Sequence, residues 1–315
     1  MFLFMGTVES GRRAWHGIWR LADPKITLAS AAAMFLGITA AAHDGPIAWG
    51  WLLLTVLGIF FLEAAKNASG ELFDFDSGVD QAVAEEDRSP FSGGKRVLVD
   101  GLLTRGQTAA AAAAFYAGGI ACGLAIALLR EPGVLWVGLA GVALAFFYHA
   151  PPLRLSYRGL GEIAVATVYG PLICCGTYLV QRGSVPVTIV LLSLPLGLLV
   201  GAFLWVNEFP DYRADAAAGK WTLVVRLGRE RASRIFGVIV AAAFAGLAFL
   251  PAAGLPVGVW LGAAGLPHGL AAALRLRATP ETTALIVPAQ AWTLLSFVLT
   301  AVGAGVGLLL ARHGG

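Results

Sequence analysis

Charge is what this 315-residue chain has least of: Asp, Glu, Lys and Arg make up 13% of it, about half the roughly 25% of an ordinary soluble domain. With 58% of residues hydrophobic, that shortfall excludes a water-soluble globular protein and a disordered chain. Cysteine is scarce as well. Cys122, Cys174 and Cys175 all lie in apolar stretches, and the only close pair is adjacent in sequence, so neither a disulfide framework nor a zinc spacing can be read. The five histidines are scattered without metal-binding spacing. A formal net charge of +3 is too small for a nucleic-acid surface, and the first five residues are too short for the apolar core of a cleavable signal. What the chain does have is long apolar runs, 40 glycines and nine tryptophans, a composition suited to lipid.

A bilayer-crossing helix needs about 20 mostly apolar residues. Nine stretches meet that expectation: 26–43, 47–72, 107–129, 133–150, 160–181, 185–208, 233–250, 254–273 and 286–311. Pro256 and Pro267 interrupt the eighth. Laid out in this way, 19 of the 22 lysines and arginines fall on one side, leaving Arg130, Arg182 and Arg312 for the other. The positive-inside rule then places the N-terminus in the cytoplasm. Residues 8–22, with Trp15 and Trp19 among Arg12, Arg13 and Arg20, read as an amphipathic interfacial helix. The expected organisation is a cytoplasmic amphipathic segment over 1–25 and one transmembrane domain over 26–315, in the plasma membrane.

Eight of the nineteen acidic residues fall between 63 and 87: Glu63, Glu71, Asp74, Asp76, Asp80, Glu85, Glu86 and Asp87. The last three sit among polar loop residues. On a helix Glu63, Asn67, Glu71 and Asp74 share one face, and carboxylates are too costly in lipid, at roughly 2.5–3.5 kcal/mol each, to lack a wet cavity or a function. A second ladder, Asn207, Asp211 and Asp215, repeats the four-residue spacing, with Glu208 beside it and Lys220 following. The two asparagines are four helices apart, so both ladders come to the same membrane face. This suggests an all-α fold of two four-helix units plus a ninth helix, with a central cavity open to the cytoplasmic side. Carboxylate and amide oxygens are hard ligands that suit Mg²⁺, which takes one or two carboxylates together with substrate phosphates. Two such clusters suit a diphosphate held between metal ions.

Other motifs lead nowhere. Gly93-Gly94-Lys95-Arg96 lacks the first glycine and the final Ser/Thr of a phosphate-binding P-loop. Asn67-Ala68-Ser69 matches a glycosylation sequon but lies in or beside a membrane helix on the cytoplasmic side. Gly197–Gly201 and Gly303–Gly307 fit close helix packing.

The two acidic motifs on nine apolar stretches resemble the UbiA superfamily of intramembrane prenyltransferases. Asn207-Glu-Phe-Pro-Asp211-Tyr-Arg-Ala-Asp215 is similar to that family's NxxxDxxxD element, including the basic residue that follows. The stretches from Phe73 to Asp80, Arg88 to Leu98 and Tyr157 to Glu162 look most like the dihydroxynaphthoate polyprenyltransferase branch of menaquinone synthesis. One departure stands out: Gly70 lies where the family usually has asparagine, and Asn67 lies one turn earlier on the same face as Asp74.

The resemblance implies Mg²⁺ held by Asp74, Asp80, Asp211 and Asp215, helped by Asn67, Glu71 and Asn207. Asp74, Asp211 and Lys220 would be the catalytic centre. Lys95, Arg154, Arg158 and Lys220 would neutralise a departing diphosphate, while Tyr148 and Tyr157 would shield the allylic cation. Glu162 is expected to orient Arg158. The substrates implied are a polyprenyl diphosphate and an aromatic acceptor, 1,4-dihydroxy-2-naphthoate first among them, met in membrane lipid and without nucleic acid. Two alternatives stay open. One is different diphosphate chemistry on the same scaffold, a terpene cyclisation or a non-aromatic acceptor, which a product assay without acceptor separates. The other is a transporter of anionic lipids, against which both ladders lie at one membrane face instead of the midplane.

Overall fold

The computed structural model describes the backbone of residues 2–313 and the side chains of residues 11–23 and 27–311. The side chains of Lys25 and Arg312, and those of residues 8–10, lie outside the described ones. Among the described residues every regular element is helical. The ten principal elements are α1 (Phe2–Ala22), α2 (Pro24–Asp44), α3 (Trp49–Ser77), α4 (Arg105–Leu129), α5 (Val134–Phe147), α6 (Gly161–Arg182), α7 (Val187–Ala217), α8 (Arg229–Ala253), α9 (Val257–Ala278) and α10 (Thr283–His313).

All nine expected stretches contain helix, but fewer are long and apolar enough to cross by themselves. Among the described residues, seven helices, α3, α4 and α6–α10, are long and apolar enough to cross a membrane; an eighth is reached only by taking residues Gly11–Ala22 and Thr27–Asp44 as one span bent by 47°. The fourth expected stretch, 133–150, holds a helix of 14 residues, about 21 Å long at 1.5 Å per residue and short of a hydrocarbon core of about 30 Å. Its chain leaves the helix early because Pro151 and Pro152 follow and cannot continue it. The amphipathic reading of the N-terminal segment fits α1: Trp15 and Trp19 are exposed, whereas Ala14, Ile18 and Leu21 pack on Ala68, Val97 and Leu103.

Local chemistry explains the element ends. Thr104 and Gln107 form a reciprocal capping box at the start of α4, with Thr104 Oγ1 accepting from the Gln107 amide at 3.2 Å and Gln107 Oε1 accepting from the Thr104 amide at 2.9 Å. Within α6 the backbone widens to a π-turn over Val168–Leu172 around Pro171, which has no amide hydrogen to give. Both expected small-residue motifs are packing surfaces. Gly197 and Gly201 of α7 meet Ala166 of α6, and Gly303 and Gly307 of α10 meet Leu261 and Gly258 of α9.

Two lengths position the site. Helices α3 and α7 have 29 and 31 residues, roughly 43 and 46 Å, and so overshoot the hydrocarbon core. Both acidic ladders occupy the surplus turns at the C-terminal ends.

Candidate active site

The ladders of α3 and α7 face each other across one polar cavity of about 740 Å³, within the roughly 300–1,000 Å³ of sites that enclose a small-molecule ligand. Asn67, Glu71, Asp74, Asp80, Asn207, Asp211 and Asp215 all line it, as do Lys95, Tyr148 and Lys220. Lys220 links the two sides, its Nζ 3.5 Å from Asp215 Oδ1 and 3.9 Å from Asp74 Oδ2. Burial opposes the Lys220 charge, but Asp215 and Asp74 outweigh it and hold its pKa well above the usual lysine range. Tyr157 donates from its hydroxyl to Asp74 Oδ1 at 2.8 Å and lies 2.7 Å from Ser77 Oγ. Asp74 is therefore held by neutral and cationic partners together.

The loop over residues 88–96 roofs the cavity. Ser89 Oγ accepts from the amides of Phe91 and Ser92, closing a tight turn of the kind serine side chains favour. Phe91 meets Phe203 of α7 edge-on, at 6.0 Å between ring centroids. Gly94 adopts a left-handed conformation, φ +75°, and a β-carbon there would collide with the Asp80 carboxylate, so glycine alone serves. Upstream of the loop, Asp87 is buried and accepts from Thr283 Oγ1 of α10 at 3.0 Å; it is not a solvated loop acid.

The donor set suits a hard divalent cation. Buried Glu71 Oε2, Asp80 Oδ2, Asn207 Oδ1 and Asp211 Oδ1 have no hydrogen-bond partner among the described residues, and an unpaired buried acceptor is costly. Burial, together with the charges of Asp74 and Glu71, pushes the Asp80 carboxyl up to about 8, against the smaller opposing pull of Lys220 and Arg96. Among the described residues no three His, Cys, Asp or Glu side chains lie close enough to cage one ion. Mg²⁺ is usually held by one or two carboxylates with water and phosphate completing its shell.

Several expected residues are already engaged. The Asn67 amide nitrogen donates to the Leu21 carbonyl at 2.9 Å, tying α1 to α3. Glu71 Oε1 accepts from the Leu98 amide at 2.8 Å. Lys95 contacts Asp23 directly, so an acid shares the cation expected on phosphate. Arg154 and Arg158 are not among the cavity-lining residues. Arg154 stacks on the Tyr157 ring at 5.0 Å, and Arg158 is exposed. Glu162 does not orient Arg158; its Oε1 accepts from the Leu223 amide at 2.6 Å. Tyr157, faced by Arg154 at 5.0 Å and by Lys220 at 5.8 Å, is also absent from the lining.

Three residues escape the sequence reading. His149 lines the cavity with Nε2 3.4 Å from Asp74 Oδ2, and the missing side chain at Gly70 was its one signal. Glu208, read only as a neighbour of the second ladder, lines the cavity with Oε2 buried and unpartnered. Lys66, read in the sequence only as one of the 19 basic residues of one side, lies inside α3; its spacing of four and eight residues before Gly70 and Asp74 was the signal. A second, apolar cavity lies among α3, α4, α5 and α6, lined by residues such as Ile59, Leu62, Val137, Leu144 and Val168, and it shares Lys66 and Tyr148 with the polar one.

An all-helical integral membrane protein with an acidic chamber opening onto an apolar one is a class defined by fold and site together. The UbiA prenyltransferase family model matches residues 30–294; the chain belongs to that family and is a prenyltransferase. It is 29% identical over 226 residues to the 1,4-dihydroxy-2-naphthoate octaprenyltransferase of Haemophilus influenzae, covering 70% of this chain and 72% of that one. To the enzyme of the same name from Mycobacterium tuberculosis it is 30% identical over 222 residues, 70% of this chain and 73% of that one. Among solved structures, a UbiA homolog from Archaeoglobus fulgidus bound to GPP and Mg²⁺ superposes with a TM-score of 0.63 at 18% identity, covering 91% of this chain and 99% of that one.

Proposed function

We propose that this protein transfers a polyprenyl group from a polyprenyl diphosphate to an aromatic acceptor, 1,4-dihydroxy-2-naphthoate, in an Mg²⁺-dependent reaction of quinone biosynthesis. The observation that carries the proposal is the pair of facing acidic ladders in a polar chamber joined to an apolar one at Tyr148. The acceptor is taken from the two naphthoate octaprenyltransferases, and the metal from the donor set and the Mg²⁺-bound structural relative.

In this reading Asp74, Asp80, Asp211 and Asp215 hold Mg²⁺, with Asn67, Glu71 and Asn207 in support. Bound there, Mg²⁺ neutralises the charge that develops on a departing diphosphate. Lys220 adds a cation between the two ladders, and Lys95 and Arg154 add positive potential from the roof and the α5–α6 connection. Arg158, exposed and outside the cavity lining, adds to that potential only from a distance. Tyr157 fixes Asp74 by its hydroxyl, and Tyr148 presents its ring where the allylic cation forms. The apolar cavity receives the isoprenoid chain, and the 88–96 loop excludes water, which would otherwise capture the cation.

The same proposal takes nine crossings, two four-helix units and a ninth, with α5 completing a span through its flanking turns. It also takes the 1–25 and 26–315 division, a plasma-membrane location, a cytoplasmic N-terminus and a chamber open to the cytoplasm. The 19-to-3 division of basic residues supports the orientation. A second reading, terpene cyclisation or transfer to a non-aromatic acceptor, is favoured only by the altered first motif, where His149 sits over Gly70.

The test is an assay of purified protein with Mg²⁺ and geranylgeranyl diphosphate, with and without 1,4-dihydroxy-2-naphthoate, with Asp211→Ala as control. A Mg²⁺-dependent prenylated naphthalenoid product, absent from the variant, is expected. Diphosphate release with a cyclic hydrocarbon in the absence of acceptor would favour the second reading.

A further inference from the structure

We infer that Lys66 is the cation that binds the prenyl-linked end of the diphosphate, at the junction of the two chambers. The inference rests on the prenyl diphosphate reading above and assigns a residue that the acidic motifs do not contain.

Lys66, Gly70 and Asp74 recur every four residues on α3, so they share one face. Lys66 lies eight residues before Asp74, roughly 12 Å deeper along the helix axis. It lines both the polar and the apolar cavity, as Tyr148 does, and its Nζ lies 5.7 Å from the centre of the Tyr148 ring. An isoprenoid chain occupying the apolar cavity, with its diphosphate among the acids of the polar one, passes this point at its first carbon. The phosphate nearest Lys66 is then the one that carries the chain.

Lys66 is in no close ion pair among the described residues, although the charges of Glu63 and Asp74 reach it. Among the described residues its ammonium makes no hydrogen bond and has no carboxylate within 4.0 Å. Glu63, one turn away on the same helix, is satisfied by neutral donors instead: Ser30 Oγ donates to Oε2 at 2.8 Å and Tyr169 Oη to Oε1 at 3.0 Å. Both Glu63 oxygens are thus occupied, and Glu63 attracts Lys66 from a distance without a direct bond. A lysine within a membrane helix costs several kcal/mol and usually marks a substrate path. Lys66 is half-buried and opens onto both cavities, leaving room for an anion that arrives with the substrate. The cations expected from sequence are elsewhere engaged, Lys95 with Asp23 and Lys220 with Asp215 and Asp74.

Lys66 Nζ donates to a non-bridging oxygen of the chain-bearing phosphate. When the carbon–oxygen bond breaks, its electron pair stays on the diphosphate; the acceptor ring carbon forms the new bond to the allylic carbon and then loses the group it bore, a proton passed to the released diphosphate or a carboxylate leaving as carbon dioxide, which restores the ring. Lys66 keeps its proton throughout.

The test uses the full chain in lipid nanodiscs with Mg²⁺ and geranylgeranyl thiolodiphosphate, an analogue in which sulfur replaces the bridging oxygen and slows bond cleavage. Lys66→Met is expected to weaken its binding about tenfold to hundredfold, the usual cost of losing a hydrogen bond to a charged group, and to lower kcat with geranylgeranyl diphosphate. Lys66→Arg should recover most of the affinity. The melting temperature of each variant separates loss of binding from loss of fold, and the KM for the aromatic acceptor should not move. Unchanged analogue affinity in Lys66→Met, beside a wild type that binds, overturns this inference and leaves the proposed function standing. A rise confined to the acceptor KM overturns it in favour of a contact with the acceptor carboxylate. Failure of the wild type to bind the analogue overturns the prenyl diphosphate reading and this inference with it.

Discussion

The imidazole of His149 occupies the space that a side chain at Gly70 would need: a β-carbon at 70 would lie 2.6 Å from His149 Cε1 and 2.8 Å from Nδ1. The same ring reaches Asp74, with Nε2 3.4 Å from Oδ2. Glycine at the first position of the motif and histidine at 149 therefore form one unit. Gly70→Asn alone is expected to displace the ring and depress both kcat/KM and melting temperature, and His149→Ala alone to lower kcat/KM. In the double variant the asparagine takes the vacated space, and its loss should be smaller than the product of the two single losses. A double-mutant cycle on both quantities checks this. Simple multiplication of the effects would show the two positions to be independent.

Tyr157 is expected to work through Asp74. Tyr157→Phe removes the hydroxyl that donates to Asp74 Oδ1, a bond to a charged group that corresponds to about a tenfold to hundredfold effect. The loss should appear in kcat/KM and as a higher Mg²⁺ requirement, with melting temperature nearly unchanged. An unaltered Mg²⁺ titration would exclude this positioning role.

The crowded acids also predict how stability responds to pH. Asp80 has its pKa raised to about 8 by burial and by Asp74 and Glu71, against about 3.9 in an unfolded chain. The folded state therefore binds more protons between these values. Stability from this group is fully present below about pH 4 and is lost as pH rises towards 8. Without metal, melting temperature should fall from pH 6 to 8.5; Mg²⁺ should offset the fall, and Asp80→Asn should flatten it. Scanning calorimetry in EDTA and in Mg²⁺ buffers reads all three.

The roof predicts a coupling between diphosphate release and product. Phe91 anchors the 88–96 loop against Phe203, and Phe91→Ala removes that anchor. Water should then compete with the acceptor, so that diphosphate released exceeds prenylated product severalfold, where the wild type releases one for one. Parallel assays of diphosphate and of lipid product measure the ratio.

Helices and acids were legible in the sequence because both are written in local chemistry. Apolar runs of membrane length fold as helices at all nine expected places, and four-residue spacing on α3 and α7 brings both ladders into one cavity. The number of spans was less legible, since hydropathy does not register the early exit of α5 or the bend between α1 and α2. Basic residues were read least well. A long flexible cation takes whichever partner the fold offers, so Lys95 meets Asp23, Arg158 turns to solvent, and Lys66 sits on the cavity face of α3. His149 was invisible for a different reason: its contact with Gly70 joins positions 79 residues apart.

The buried tie between Asp87 and Thr283 spans 196 residues, and the last helix, α10, packs directly on α2. A ribosome delivering this chain therefore releases the roof loop long before the helix that fastens it. Through most of synthesis the acidic chamber stands without its clasp, and the newborn protein becomes competent to exclude water only when its final segment enters the bilayer.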